Sequence, residues 1–187
     1  MIALIFDFET TGLVFHPRAK GALQPSAIEF GGVLIDFDGT VIKEVSLLMN
    51  PGKPLEAIIT KITGLTDADL EGKPTFDECA DEIAAAFAMC DVAIAHNAPF
   101  DISILQLELQ RVGRFHDFPF PKSIICTVQE NVEHYGKRIT LKKLYENVIG
   151  KPLEQTHRAS DDCRALAEVV VQMGLLKGYE DQLRSVQ

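Results

Sequence analysis

The sequence predicts a single α/β domain over residues 1–187, in which a mixed five-stranded sheet is flanked by helices. The chain length of 187 residues is typical of one domain. An apolar fraction of 47% with 24% charged residues is typical of a globular chain with a proper core. Three strand-like segments come first, and helical and strand-like segments then alternate, an order that indicates a mixed sheet with helices on its faces.

The first three strands are predicted from apolar runs that are bounded by turn residues. Residues 2–8 form an apolar run that ends at a Thr-Thr-Gly turn. Residues 27–36 and 41–49 form the next two runs, and Asp38-Gly39 between them is a strong β-hairpin signal. The three runs therefore predict a meander.

The rest of the chain alternates between helical and strand-like patterns. Thr75 followed by Glu78 resembles a capping box and opens a helix with apolar residues at helical spacing. The remaining predicted elements are a short helix ending at Gly64, strands at 91–95 and 123–127, and helices at 75–89, 100–112, 140–148 and 160–173, the last with Ser160 as its N-cap.

The charge balance restricts how this protein can meet nucleic acid. The chain has 18 Lys and Arg residues against 27 Asp and Glu residues, a formal net charge of −9. A protein that holds nucleic acid on a broad basic surface is basic, so that mode is disfavoured. Nucleic acid that is approached through bound metal ions stays compatible with the charge.

Cysteine spacing and hydropathy indicate a cytoplasmic protein with no membrane span. The cysteines show no CxxC pair, which disfavours a zinc or disulfide framework. No apolar run approaches the roughly 18 residues of a spanning helix. The N-terminus lacks a basic region and carries acids within its apolar run, so a signal peptide is not expected.

Two carboxylates at the end of the first strand are the most informative feature. Because alternate residues of a strand share a face, Asp7 and Glu9 project together while Phe8 packs on the other side. Neighbouring carboxylates beside an apolar strand are costly to desolvate, and a bound divalent cation offsets that cost. The alternative is a pair of solvated acids at a frayed strand end.

Two further acids lie at predicted helix starts. Asp101 follows the apolar strand at 91–95, in a position where the helix dipole alone favours a carboxylate. Asp162 follows His157 by five residues, so His157 is placed to act as a base beside a metal. A solvated histidine on a loop is the alternative interpretation.

Together these segments resemble the three motifs of the DEDDh 3′–5′ exonucleases. The matching stretches are DFETTG from Asp7, HNAPFD ending at Asp101, and His157 with Asp162 five positions later. The stretches AIEFGG and ITGLT are similar to further family segments. The resemblance covers residues 2–173 and is closest to the proofreading exonuclease of bacterial DNA polymerase III.

The resemblance implies a ribonuclease-H-like fold and a metal-dependent exonuclease that releases nucleoside 5′-monophosphates from a 3′ end. It implies that His157 is the general base, since imidazole can take a proton from water near neutral pH. It also implies that two divalent cations, Mg²⁺ or Mn²⁺, are held by Asp7, Glu9, Asp101 and Asp162. The neighbouring Asp161 is assigned to the helix start.

Substrate contacts are expected where the family approaches the terminal nucleotide. These positions are Thr10, Thr11, Gly12, Thr63, Asn97 and Phe100. Phe100 fits a core position equally well, and Thr63 stands where the proofreading subunit often has histidine. Two groups of basic residues either contact phosphates of the substrate or are simply exposed to solvent. They are His16, Arg18 and Lys20 in the 13–25 loop, and Lys137, Arg138, Lys142 and Lys143.

The expected substrate is the 3′ end of single-stranded DNA, in proofreading or repair, with a DNA polymerase as a possible partner. Trimming of RNA 3′ ends by the same chemistry stays open, because motifs do not report contacts to the 2′-hydroxyl. A non-catalytic module of the same fold is disfavoured because all five motif positions are filled.

A second motif suggests a phosphatase of the haloacid-dehalogenase type. Asp36 and Asp38 follow an apolar strand as the nucleophile and acid/base of that class do. No later acidic motif at a suitable spacing completes such a site. A β-hairpin closed by an Asp-Gly turn explains the same residues.

Overall fold

A computed structural model describes residues 1–14 and 24–185. Within these residues five strands form a mixed sheet in the order β3-β2-β1-β4-β5, so the predicted fold class is confirmed. The strands are β1 (Ile2–Thr10), β2 (Ala27–Asp36), β3 (Val41–Leu48), β4 (Val92–Ala95) and β5 (Ser123–Cys126). The pairs β1–β2 and β2–β3 are antiparallel, whereas β1–β4 and β4–β5 are parallel.

Helices cover both faces of this sheet. They are α1 (Ala57–Thr63), α2 (Asp67–Leu70), α3 (Phe76–Ala88), α4 (Ala98–Arg111), α5 (Thr127–Tyr135), α6 (Leu141–Ile149), α7 (Ala159–Gln172) and α8 (Leu175–Ser185), with a 3-10 turn at Phe115–Asp117. None of the helices in the described ranges is long and apolar enough to cross a bilayer.

The alternation of β1 divides the core between the two faces. Phe6 lies on one face, where its ring packs edge-on against Phe87 of α3 with centroids 5.1 Å apart. Ile5 lies on the other face and packs with Leu166 and Val170 of α7. All of these side chains are at most 2% exposed. The same alternation continues along the strand, so the acids of β1 lie on the face that α7 covers.

Two local predictions are confirmed by backbone hydrogen bonds. The capping box of α3 is present, with the Thr75 N–H donating to Glu78 at 2.7 Å. The hairpin between β2 and β3 is closed by the Asp36 N–H, which donates to the Thr40 carbonyl at 3.0 Å. The Asp36 carboxylate accepts the N–H groups of Asp38 and Thr40, so its role in the structure is to shape the turn.

Three sequence-based expectations differ from the structure. Ser160 is not the N-cap of α7, because the helix begins at Ala159 and Arg158 precedes it. The helix α5 begins at Thr127, where the prediction ended a strand; its sequence is too polar to show a clear apolar stripe. The helix α8 follows α7 after a two-residue turn, Met173 and Gly174, in a stretch predicted as a tail.

Candidate active site

The first two acids lie on β1 beside the neighbouring strand β2. Asp7 pairs with Gly31 and Glu9 pairs with Glu29 in the antiparallel register, and a bulge follows at Glu9 and Thr10. The small Gly31 leaves room above β2, and the start of α7 approaches closely there. The acids of β1 are therefore directly beside the N-terminal turn of α7.

The third acid, Asp101, enters the same region from α4. Because β4 runs parallel to β1, its carboxyl end delivers α4 next to the end of β1. The Asp101 side chain is buried at 2% exposure and accepts a hydrogen bond from the Phe8 N–H at 3.1 Å. Asn97 immediately precedes α4 with a positive φ of 79°, a conformation that asparagine tolerates better than most residues.

The first turn of α7 brings the last acid to the cluster, and the loop before α7 brings the histidine. Ligand atoms of Glu9, His157 and Asp162 all lie within 4.8 Å of one another. Asp162 is 9% exposed and accepts a hydrogen bond of 2.8 Å from the side-chain amide of Gln155. His157 has a positive φ of 51°, which is unusual for a residue other than glycine.

The carboxylates of the cluster are close enough to repel one another. Burial, followed by the charges of Asp162 and Glu29, raises the pKa of Asp7 to about 7. Burial and the nearby acids raise the pKa of Glu9 to about 9. Burial likewise raises the pKa of Asp101 and of Asp162 above the usual range for carboxyl groups. A divalent cation would relieve both the repulsion and the cost of desolvation, so these acids fit a metal site.

Hydrogen bonding points to the same conclusion. Asp7 and Glu9 are half-buried, and among the described residues no donor bonds to either carboxylate. Carboxylate oxygens are preferred ligands of hard cations such as Mg²⁺ and Mn²⁺. The unshared oxygens on β1 are therefore available to a metal.

Several of the expected substrate residues lie at the end of β1. The Thr10 hydroxyl donates to the Gly12 carbonyl at 2.7 Å, and Thr11 is held to Ser26 through both its backbone and its hydroxyl. Gly12 has a φ of 156° and open space where a side chain would begin. A ligand can therefore approach the backbone closely at this point.

The other expected contacts are placed differently. Thr63 is 2% exposed, and its hydroxyl donates to the Ile59 carbonyl and accepts from the Leu65 N–H. The hydroxyl therefore forms its hydrogen bonds within its own segment. Phe100 is half-buried and packs against the aromatic core. The Asn97 side chain accepts a hydrogen bond of 2.6 Å from Arg138.

One of the two predicted basic sets is connected to the site. The link between Arg138 and Asn97 fastens the loop after α5 to the start of α4. The His96 ring adds to this link, with its nitrogens 3.0 Å from the Thr127 hydroxyl and 3.0 Å from the Ile139 carbonyl. His16, Arg18 and Lys20 lie outside the described residues.

Two residues that the sequence patterns did not identify stabilise the start of α7 beside the cluster. Glu29 is fully buried on β2, and Arg158 reaches it with two hydrogen bonds of 2.9 and 3.0 Å. A charged residue inside the apolar run of β2 is a signal that a partner must exist. The partner is 129 residues away, so no local pattern identifies it.

Comparisons with known proteins agree with this geometry. The family model described as Exonuclease (RNase_T) matches residues 4–170. The DNA polymerase III PolC-type of Clostridium perfringens is 30% identical over 171 residues, which are 89% of this chain but 11% of that protein. The chain thus spans about a tenth of the length of that relative.

Solved structures share the fold. Exonuclease X in complex with 5′ overhanging duplex DNA aligns with a TM-score of 0.68 and 21% identity, over 94% of this chain and 93% of the other. The nuclease domain of 3'hExo, a DEDDh family member bound to rAMP, aligns with a TM-score of 0.73 and 18% identity, over 92% and 90%. The sheet and helices described above therefore have the architecture of known exonucleases.

Proposed function

Because this chain belongs to the exonuclease family, we propose that it is a metal-dependent 3′–5′ exonuclease that releases nucleoside 5′-monophosphates. The observation that carries the proposal is the convergence of β1, α4 and α7 on one cluster. Glu9, His157 and Asp162 lie within 4.8 Å of one another, and Asp101 is bonded to the backbone of β1. We extend the proposal to one exonuclease domain over residues 1–187.

Four acids would hold the metal. Asp7, Glu9, Asp101 and Asp162 supply carboxylate oxygens, and two bound divalent ions would neutralise these four carboxylates where a phosphodiester must lie. When bound, Mg²⁺ or Mn²⁺ would stabilise charge on the attacking and leaving oxygens. The acids themselves set the position of the scissile phosphate at the end of β1.

His157 would act as the general base. An imidazole nitrogen of His157 takes the proton from the attacking water, and the proton then passes to solvent. Glu9 and Asp162 lie beside it, with ligand atoms of the three residues within 4.8 Å of one another. Replacement of His157 by alanine is expected to lower kcat while Mn²⁺ binding persists.

The substrate would be the 3′ end of single-stranded DNA. The polymerase relative supports DNA, while the structural neighbours include one solved with duplex DNA and one solved with rAMP. Thr10, Thr11 and Gly12 would meet the terminal nucleotide, with Asn97 and the exposed edge of Phe100 beside them. Thr63 is left out because its hydroxyl is already engaged.

A matched pair of oligonucleotides tests the proposal. Single strands of DNA and RNA with the same sequence and a 3′ label are incubated with the protein and Mn²⁺ or Mg²⁺. Mononucleotide release that requires metal, with DNA cleaved faster, is the expected result. Faster cleavage of RNA would reassign the substrate to RNA 3′ ends.

Two controls make the outcome specific. Asp7→Asn is expected to abolish mononucleotide release. A strand that is phosphorylated at its 3′ end or labelled at its 5′ end reports from which end the protein degrades it. Failure of the metal-loaded protein to release any mononucleotide from either strand would overturn the exonuclease proposal.

A further inference from the structure

Glu29 and Arg158 form an ion pair beside the candidate site, with a fully buried carboxylate and a partly exposed guanidinium. Glu29 has no solvent exposure, and its two carboxylate oxygens each receive a hydrogen bond from the Arg158 guanidinium, at 2.9 and 3.0 Å. A bidentate arrangement of this kind fixes both side chains in one orientation. Arg158 is thereby held against β2 although it belongs to the loop that precedes α7.

The same carboxylate also fixes the beginning of α7. The Ala159 N–H, at the first residue of the helix, donates to Glu29 at 3.2 Å. Arg158 occupies the N-cap position but provides no side-chain cap. The Glu29 carboxylate on β2 therefore accepts one of the N–H groups in the first turn of α7 that have no partner within the helix.

His157 is the residue that this pair would control. It directly precedes Arg158 and has a φ of 51°, in a region that residues other than glycine seldom adopt. Such a conformation persists when the residues around it are fixed. The anchored Arg158 on its C-terminal side supplies that constraint.

We infer that Glu29 and Arg158 are positioning residues that orient His157 toward Glu9 and Asp162. The inference rests on the proposed role of His157 as the base. Neither residue of the pair touches the reacting atoms. Their effect on the rate is exerted through the imidazole of His157.

The chain offers a matched control in the ion pair between Arg164 and Glu44. This pair also joins α7 to the sheet, with two hydrogen bonds of 3.0 and 2.6 Å to one carboxylate oxygen. Both of its side chains are at least 40% exposed, and neither adjoins His157. Arg164→Ala therefore removes a comparable contact to the sheet, together with one to Asp161, and Arg164 bonds to neither His157 nor Glu29.

Kinetics of the Mn²⁺-loaded protein on the labelled DNA strand provide the first test. Arg158→Ala is expected to lower kcat about 10- to 100-fold, the range for a small misplacement of a reacting group, with little change in KM. Arg158→Lys keeps the charge and is expected to fall between Arg158→Ala and the wild type. Arg164→Ala should retain the wild-type kcat.

A double substitution separates positioning from general stability. If Arg158 acts through His157, then His157→Ala with Arg158→Ala is no slower than His157→Ala alone. Methylguanidine is expected to restore part of the activity of Arg158→Ala and none to His157→Ala. Fully additive losses, or a wild-type kcat in Arg158→Ala, would overturn the inference.

A spectroscopic readout tests the inference independently of turnover. The imidazole signals of His157, assigned by comparison with His157→Ala, are recorded by NMR in the metal-free protein. Arg158→Ala and Glu29→Gln should shift or broaden them, and Arg164→Ala should not. Unchanged signals in both pair variants would refute the inference even if the wild type proved inactive, a result that would count separately against the proposed function.

Discussion

Adding one methyl group at Gly31 tests whether the spacing between β2 and α7 determines activity. A Cβ atom at Gly31 would lie 2.5 Å from the Ala159 carbonyl oxygen and 2.6 Å from the Ser160 nitrogen. Ordinary contacts of this kind are about 3.5 Å. Both obstacles are backbone atoms of α7, so the start of the helix must move by about 1 Å relative to the sheet.

That displacement occurs next to two of the proposed catalytic groups. His157 lies two residues before Ala159, and Asp162 lies three residues after it. Misplacement by about 1 Å can cost about 100-fold in rate, and overpacking typically costs about 1–3 kcal/mol of stability. Gly31→Ala is therefore expected to lose about two orders of magnitude in kcat while it still folds.

The neighbouring Gly32 provides the matched control. A Cβ atom there would meet the Phe30 ring at 3.2 Å and the Leu4 side chain at 3.3 Å, both on the face away from α7. Side-chain ends can yield by a few tenths of an ångström. Mononucleotide release and urea unfolding are measured for both variants. Equal rates in Gly31→Ala and wild type would refute the reasoning.

Three further predictions concern charge, the hairpin and the rim of the site. Without metal, the free energy of unfolding should fall as pH rises from about 4 to about 9, because folded Asp7 and Glu9 retain protons that the unfolded chain releases. Urea titrations in EDTA should show this fall, and the fall should be smaller in Asp7→Asn. Addition of Mg²⁺ at high pH should restore the free energy of unfolding. Asp36→Asn should leave nuclease activity unchanged, since Asp36 shapes a turn, and a phosphatase assay that it abolished would contradict this. Arg138→Ala should raise KM, because it removes an exposed guanidinium that is bonded to Asn97. The slope of log KM against log salt concentration should become shallower by about the amount of one phosphate contact, and an unaltered slope would count against that contact.

The fold and the exonuclease family were predictable because both depend on local patterns. Alternation along β1 and the Asp-Gly turn after Asp36 specify strands and a hairpin within a few residues. The motifs carry enough chemistry to indicate an exonuclease, and this prediction is confirmed by the family match.

The support of the site was not predictable, because it depends on contacts between distant residues. Glu29 and Arg158 meet only after the sheet and α7 have packed together. The start of α7 was misplaced for the same reason, since the carboxylate that caps Ala159 comes from β2. A local capping rule chose Ser160, the nearest residue of a suitable type.

The long sequence separation within the cluster has a consequence for synthesis. Asp101 bonds to β1 across 93 residues, and Arg158 bonds to β2 across 129. Folds with such non-local contacts form slowly. At roughly 5–20 residues per second, a ribosome adds Asp162 on the order of 10–30 s after Asp7. A growing chain therefore lacks part of the proposed acid cluster throughout that interval, and the proposed site is complete only after α7 has emerged and docked.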